Sequence, residues 1–168
     1  MTRGEKGLSE ASKVGVNVGE RAPDFSLPNN EGQMWRLSDH SGETVVLLFY
    51  PGDNTPVCTK QMCSVRDRWS DYMATGAHIV GISTDTVESH KGFAAKHNLP
   101  FPLLADPDEE VIRAYGVRSW LPHRAARAVV VINPRGVVTY KKVQPLSLFP
   151  PRDDRVIAAI QKAVSGDK

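Results

Sequence analysis

The sequence predicts an α/β fold, a mixed central β-sheet flanked by helices, with a β-hairpin at the N-terminal side. Three observations carry that expectation. Continuous apolar runs rich in β-branched residues recur at 44–50, 78–83 and 128–132, as in strands buried on both faces. Stretches with helical spacing separate them. Short strand-like segments joined by turn chemistry sit at both ends of the chain. That alternation places helices against a mixed sheet.

The elements follow in order. Residues 1–18 are rich in Gly, Ser, Lys and Glu and read as a flexible arm, leaving 19–168 as a single domain. In 23–28, Phe25 and Leu27 alternate with polar residues, and Asn29-Asn30-Glu31-Gly32 is a turn into Met34–Leu37, which together predict a hairpin. Thr44–Tyr50 reads as a central strand that Pro51-Gly52-Asp53-Asn54 ends. A helix is predicted from Thr55 to Ala74, closed by Gly76. His78–Ser83 reads as a strand, Val87–His97 as a helix and Leu103–Ala105 as a strand. Asp106-Pro107-Asp108 is a helix-start signal for Glu109–Tyr115, ended by Gly116. Ala128–Ile132 and Val137–Tyr140, joined by Asn133-Pro134-Arg135-Gly136, read as a second hairpin. Arg152 to Val164 reads as the last helix.

Composition excludes several classes. The 168 residues, 40% hydrophobic, suffice for one core. The 21 Lys and Arg against 19 Asp and Glu leave a net charge of +2, too weak a field to suggest nucleic acid or a membrane surface as partner. The longest apolar run, Val45–Tyr50, falls far short of the ~20 residues of a membrane span. The N-terminus lacks the apolar stretch of a secretory signal, and two cysteines do not make a disulfide scaffold, so a cytoplasmic address is expected. No GxGxxG or GxxxxGK[ST] pattern supports nucleotide binding.

Chemistry concentrates in 49–63. A buried strand leads to the carboxyl edge of the sheet, where ligand sites of open α/β sheets gather, and Cys58 falls in the first turn of the following helix. Unpaired N–H groups and the positive dipole end favour a thiolate there. An ordinary thiol is ~3% ionised at pH 7, so complete ionisation gains only about thirtyfold. Enzymes usually need about 10⁶-fold, so other residues must stabilise the transition state. Cys58, Met62, Val65, Trp69 and Tyr72, at spacings of 4, 3, 4 and 3, form one apolar stripe facing the core. Cys63 lies about 140° around the helix from Cys58, with Cα atoms about 8.6 Å apart. A disulfide needs less than about 7 Å, so a bridge requires the helix to unwind. The pair lacks the ligands of a zinc site, and His90 and His97 read as surface or packing residues. Asp53 must face solvent, cap the helix or pair with a base such as Lys60, because a carboxylate beside a thiolate opposes its ionisation.

The pattern Pro51-x-x-x-Thr55-x-x-Cys58 resembles the active-site signature of the peroxiredoxins, and Cys58-x4-Cys63 resembles their bacterioferritin-comigratory, or Q-type, subgroup. Ala22-Pro23-Asp24-Phe25, Gly81-Ile82-Ser83-Thr84-Asp85 and Phe101–Asp106 extend the resemblance over about 18–165. It implies a thioredoxin-like fold and a thiol peroxidase for hydrogen peroxide and organic hydroperoxides, without metal or cofactor. Cys58 would be the peroxidatic thiolate and Cys63 the resolving thiol, forming an intramolecular disulfide recycled by thioredoxin or a similar dithiol. Thr55 would bond the thiolate or peroxide, and Pro51 would exclude water. Of the two candidate arginines for the developing charge, Arg127 fits the spacing before the 128–132 strand better than Arg124. His123 and Arg124 read as loop residues. A monomer is expected, with a weak dimer as the alternative. The competing functions are a thioredoxin-class thiol–disulfide oxidoreductase, which normally uses Cys-x-x-Cys, and a non-enzymatic redox sensor or chaperone.

Overall fold

The structure, a computed structural model, describes residues 15–144 and 151–166. Of the expected arm, 1–14 lie outside the described residues; Val16 is buried and its N–H donates to the Ala114 carbonyl. The elements are β1 (Ser26–Pro28), β2 (Met34–Arg36), a 3-10 turn (Leu37–His40), β3 (Val45–Phe49), α1 (Pro56–Asp67), α2 (Trp69–Met73), β4 (His78–Ser83), α3 (Val87–His97), β5 (Leu103–Ala105), α4 (Glu110–Ala114), β6 (Arg127–Ile132), β7 (Val138–Gln144) and α5 (Asp153–Ser165).

The five-stranded sheet runs β5-β4-β3-β6-β7, beside a separate β1-β2 hairpin. Its centre is β3, with every residue buried. It pairs in parallel with β4, from Val45↔His78 to Phe49↔Ile82, and antiparallel with β6, from Val45↔Ile132 to Phe49↔Ala128. The period-2 alternation of β3 splits the core. Val46 and Leu48, with Tyr50 beyond the strand end, join Cys58, Met62, Val65, Tyr72, Phe93, Val156 and Ile160 on one face. Val45, Leu47 and Phe49 join Leu27, Ile112, Tyr115 and Val117 on the other. The expected mixed sheet between helices, with its early hairpin, is what the chain forms.

The expected helix over 55–74 breaks in two. At Arg68 the backbone leaves the helical region (φ −107°, ψ 25°) before α2 begins. The Arg68 guanidinium holds Asp71 at 3.0 Å and Asp154 at 2.6 Å. The turn lets Tyr72 donate to Asp153 on α5 while Trp69 packs against Phe101. Elsewhere the differences are at element ends: β6 starts at Arg127, and β7 runs on to Gln144.

The start of α4 depends on a single buried side chain. Asp106 accepts the Glu110 N–H through Oδ1 at 3.0 Å, and those of Val111 and Ile112 through Oδ2 at 3.0 and 2.9 Å. Asp106→Ala leaves these N–H groups without their acceptor. It should lower unfolding stability by about 2–4 kcal/mol. Urea titration measures the loss; a change below about 0.5 kcal/mol, the range of ordinary surface substitutions, contradicts the assignment.

Candidate active site

Beyond β3, Tyr50 extends the ladder by one bond, its N–H donating to Ile82 O at 3.1 Å. The chain then turns through Pro51–Thr55, with Asn54 in the left-handed region at φ 65°. Asn accepts that conformation more readily than most residues. Thr55 is extended and occupies the position that precedes α1, and Pro56 takes the first helical position, where its missing N–H costs nothing. Cys58 is therefore the third helical residue. It is 0% exposed, and neither it nor Cys63 is bridged. The Thr55 hydroxyl donates to Gly52 O at 3.2 Å and makes no cap bond to the helix, so its oxygen remains an acceptor.

Arg127 begins β6, one residue before the Ala128 that faces Phe49 at the end of β3. By alternation it shares a face with Val129 and Val131, both in the core cluster of Cys58. It is 4% exposed. Its Nη1 donates to Gln61 Oε1 at 2.7 Å, and Gln61 is a buried residue three positions after Cys58 on α1. Arg127 Nε is buried without a hydrogen-bond partner. Arg124 is an exposed loop residue, as expected, but it braces the site loop: Nη1 donates to Pro51 O at 3.1 Å. A Cβ on Gly52 would stand 2.6 Å from that nitrogen, so a larger residue there would push the Arg124 side-chain tip aside.

Pro51 and Thr55 thus lead into the first turn of α1 that holds Cys58, Arg127 reaches the same helix through Gln61, and Cys63 stands apart. Half-buried, its Sγ lies 3.7 Å from Nδ1 of His97 at the end of α3. The His97 ring packs edge-on to Phe93, and its carbonyl accepts Arg66 Nη1 at 2.7 Å. The sequence had no means of pairing Cys63 with His97, which belongs to another element. Gln61 left a weak trace: a polar residue one turn after Cys58 on a buried face.

Asp53 pairs with His90, not with Lys60. His90 Nδ1 is 2.8 Å from Asp53 Oδ2, with side chains 0% and 1% exposed. Tyr50 and Ser89 hydroxyls also donate to the Asp53 carboxylate, at 2.7 and 2.8 Å. The other His90 nitrogen faces Leu104 O at 3.0 Å. Both ring nitrogens therefore lie within hydrogen-bond distance of oxygen atoms. Of the two expected readings, surface or packing, His90 is the packing residue, the buried partner of Asp53. Burial pushes the Asp53 carboxyl up, but its interactions with His90, Tyr50 and Ser89 together outweigh it and hold the group below its ordinary range. Asp85 lies close enough to join Asp53 and His90 as a metal-ligand set, but it is already engaged, accepting from Asp53 N and the Ser83 hydroxyl.

The AhpC/TSA family matches residues 18–141 of the chain. A protein named putative peroxiredoxin bcp, from Coxiella burnetii, is 48% identical over 104 residues, 62% of this chain and 69% of that one. Chloroplastic peroxiredoxin Q of Triticum aestivum is 44% identical over 126 residues, 74% of this chain and 58% of its own length. Among solved structures, peroxidoxin BcpB from Mycobacterium tuberculosis superposes with TM-score 0.79 at 32% identity, over 87% of this chain and 97% of that one. Peroxiredoxin Q of Xanthomonas campestris superposes at 0.73 and 30% identity, over 87% and 98%.

The buried pair has a measurable signature. His90→Ala strands the Asp53 carboxylate and should cost about 3–5 kcal/mol at pH 7, with part recovered in Asp53→Asn/His90→Ala. In the parent the lowered carboxyl stabilises the fold above an unfolded pKa of about 3.9, and this is lost only as pH falls below that value. In His90→Ala burial raises the unpaired carboxyl instead, so the variant's deficit should shrink from pH 7 to pH 5. Urea titrations at both pH values read this; an equal deficit at both refutes the ion pair.

Proposed function

The chain belongs to the AhpC/TSA family and is a thiol-dependent peroxidase, and we propose that Cys58 is its peroxidatic thiol and Cys63 its resolving thiol. In this reading the Cys58 thiolate attacks one peroxide oxygen. The O–O bond breaks, the leaving oxygen departs as an alcohol or water after taking a proton, and Cys58 is oxidised to the sulfenic acid. Cys63 sulfur then attacks Cys58, expelling the hydroxyl as water with the Cys63 proton, and a disulfide remains. A dithiol donor, thioredoxin in our reading, supplies two electrons and restores both thiols.

The observation that carries this reading is the placement of buried Cys58 in the first turn of α1, on the core face shared by Arg127, whose Nε lacks a partner. That nitrogen is a free cationic donor for the thiolate and for charge developing on the peroxide. The Thr55 oxygen, its own hydrogen committed to Gly52, can accept the hydrogen of a hydroperoxide. Pro51 closes the loop end of the site against water. His97 stands where it can take the Cys63 proton. An oxidoreductase of the thioredoxin class fits less well, since the attacking sulfur of a disulfide exchanger needs exposure.

A bridge also requires motion. Residues 63–68 are tied down by Ser64 to Asp153, Arg66 to His97 and Arg68 to Asp154. The stretch from Pro56 to Met62 therefore unwinds and carries Cys58 to Cys63. Among the described residues no helix is long and apolar enough to cross a membrane. We place the enzyme in the cytoplasm, where a dithiol donor stays reduced. Because one helix holds both cysteines, we take it to act as a monomer.

Peroxide consumption with thioredoxin and its reductase tests the reading. Cys58→Ser should abolish turnover; activity within a few-fold of wild type would sink Cys58 as nucleophile. Arg127→Ala should slow the first oxidation by ~10²-fold or more, and Arg124→Ala much less, measured by stopped flow. The reverse ranking assigns the charge-stabilising role to Arg124. Cys63→Ser should consume one equivalent of peroxide and stall. On oxidation, amides 56–62 should lose hydrogen-exchange protection while Val45–Phe49 keep theirs; unchanged protection at 56–62 rules out the unwinding.

A further inference from the structure

At the end of the sheet opposite Cys58, three metal-ligating side chains converge from separate segments. His40 closes the 3-10 turn, Glu43 precedes β3, and His78 opens β4. Glu43 Oε1 lies 3.0 Å from His40 Nδ1 and 3.0 Å from His78 Nε2. One donor atom from each residue lies within 4.8 Å of the others. We propose that His40, Glu43 and His78 bind one zinc-class divalent cation.

The chemistry of the set is specific. Two imidazoles and a carboxylate are a known three-ligand set for zinc with an open fourth position. Bonds of about 2.0–2.2 Å at tetrahedral angles put neighbouring ligand atoms about 3.3 Å apart. The two 3.0 Å edges here need to open by only a few tenths of an ångström. Imidazole nitrogen suits zinc, cobalt, nickel and copper rather than magnesium or calcium.

The site is also held in place before any ion arrives. The His40 ring stacks on Trp35, with centroids 4.8 Å apart and planes at 18°, and lies 4.6 Å from the His78 ring. Glu43 N donates to His40 O at 3.0 Å, and His78 N donates to Thr44 O at 2.9 Å. The register Val45↔His78 fixes the two strand starts side by side. A cleft of about 400 Å³, lined in part by His40 and Glu43, leaves room for water to complete the coordination. Ring stacking and backbone pairing orient the ligands, the role outer contacts play at metal centres.

The test is calorimetric titration of zinc chloride into the full chain carrying Cys58→Ser and Cys63→Ser, so that thiols take no metal. One equivalent should bind, and the melting temperature should rise. His78→Ala, a half-exposed position, should weaken binding at least ~10-fold with an unchanged metal-free melting temperature, and Glu43→Gln should do the same. As a second measurement, zinc added to the same chain before further substitution should shift the imidazole NMR signals of His40 and His78 and leave those of His90 unmoved. Cobalt should give a spectrum of nitrogen and oxygen ligation. Absence of saturable binding, binding unaltered by His78→Ala, or shifts confined to other histidines overturns the proposal.

Discussion

The site loop hangs on one buried ion pair. Between β3 and α1 the chain turns sharply with little regular structure, yet it must present Pro51, Thr55 and Cys58 in a fixed relation. Asp53 supplies the anchor: its carboxylate accepts from Tyr50 behind it and from Ser89 and His90 on α3. Its own N–H donates to Asp85, which Ser83 also holds. The loop is thereby fastened to the ends of β3 and β4 and to the first turns of α3. The same pairing bears on an electrostatic problem. A carboxylate five residues before a thiolate would oppose its ionisation, and here the Asp53 carboxylate is taken up by His90, Tyr50 and Ser89.

On the other side of Cys58 the balance is reversed. Arg127 is a buried cation whose guanidinium donates to a neutral amide, that of Gln61, and among the described residues it has no carboxylate partner. Burying a guanidinium without a counter-charge is costly, and a buried donor left unpaired adds to the cost. A thiolate at Cys58 supplies both what Arg127 lacks and what α1's positive end favours. In the proposed mechanism the thiolate form is therefore the one in which these buried groups are best satisfied. In that mechanism oxidation removes the negative charge from Cys58 and weakens the hold on the first turns of α1. The rest of the helix has its own anchors on α3 and α5, so the loosening has a boundary near Cys63.

What the sequence made legible follows from how local each feature is. The strands 44–50, 78–83 and 128–132 announce themselves because each is apolar on both faces, and the sheet places all three at its centre. Pro51, Thr55 and Cys58 lie within eight consecutive residues, so their grouping survives in one dimension. Arg127 was reachable because it abuts a recognisable strand. The break at Arg68 was not, because the apolar stripe runs through it unbroken and its cause, Asp153 and Asp154, sits on the last helix. His90 and His97 looked like an ordinary helical pair seven apart; one meets Asp53 and the other Cys63 only through the packing of α3 against the sheet and α1.

The central strand also separates two chemistries that would interfere. Zinc-class ions bind thiolates strongly, and an ion on Cys58 would block its attack on peroxide. The His40–Glu43–His78 set sits where β3 and β4 begin, while Cys58 follows where β3 ends. Five residues of β3 amount to about 16 Å, all buried on both faces and paired to β4 and β6. β3 is paired at every residue, and the unwinding of the proposed mechanism falls on α1. An ion at the strand start thus tightens the 3-10 turn and the entry to β4 without reaching the thiol, so the same strand that delivers Cys58 to the sheet edge keeps the metal-binding end away from it.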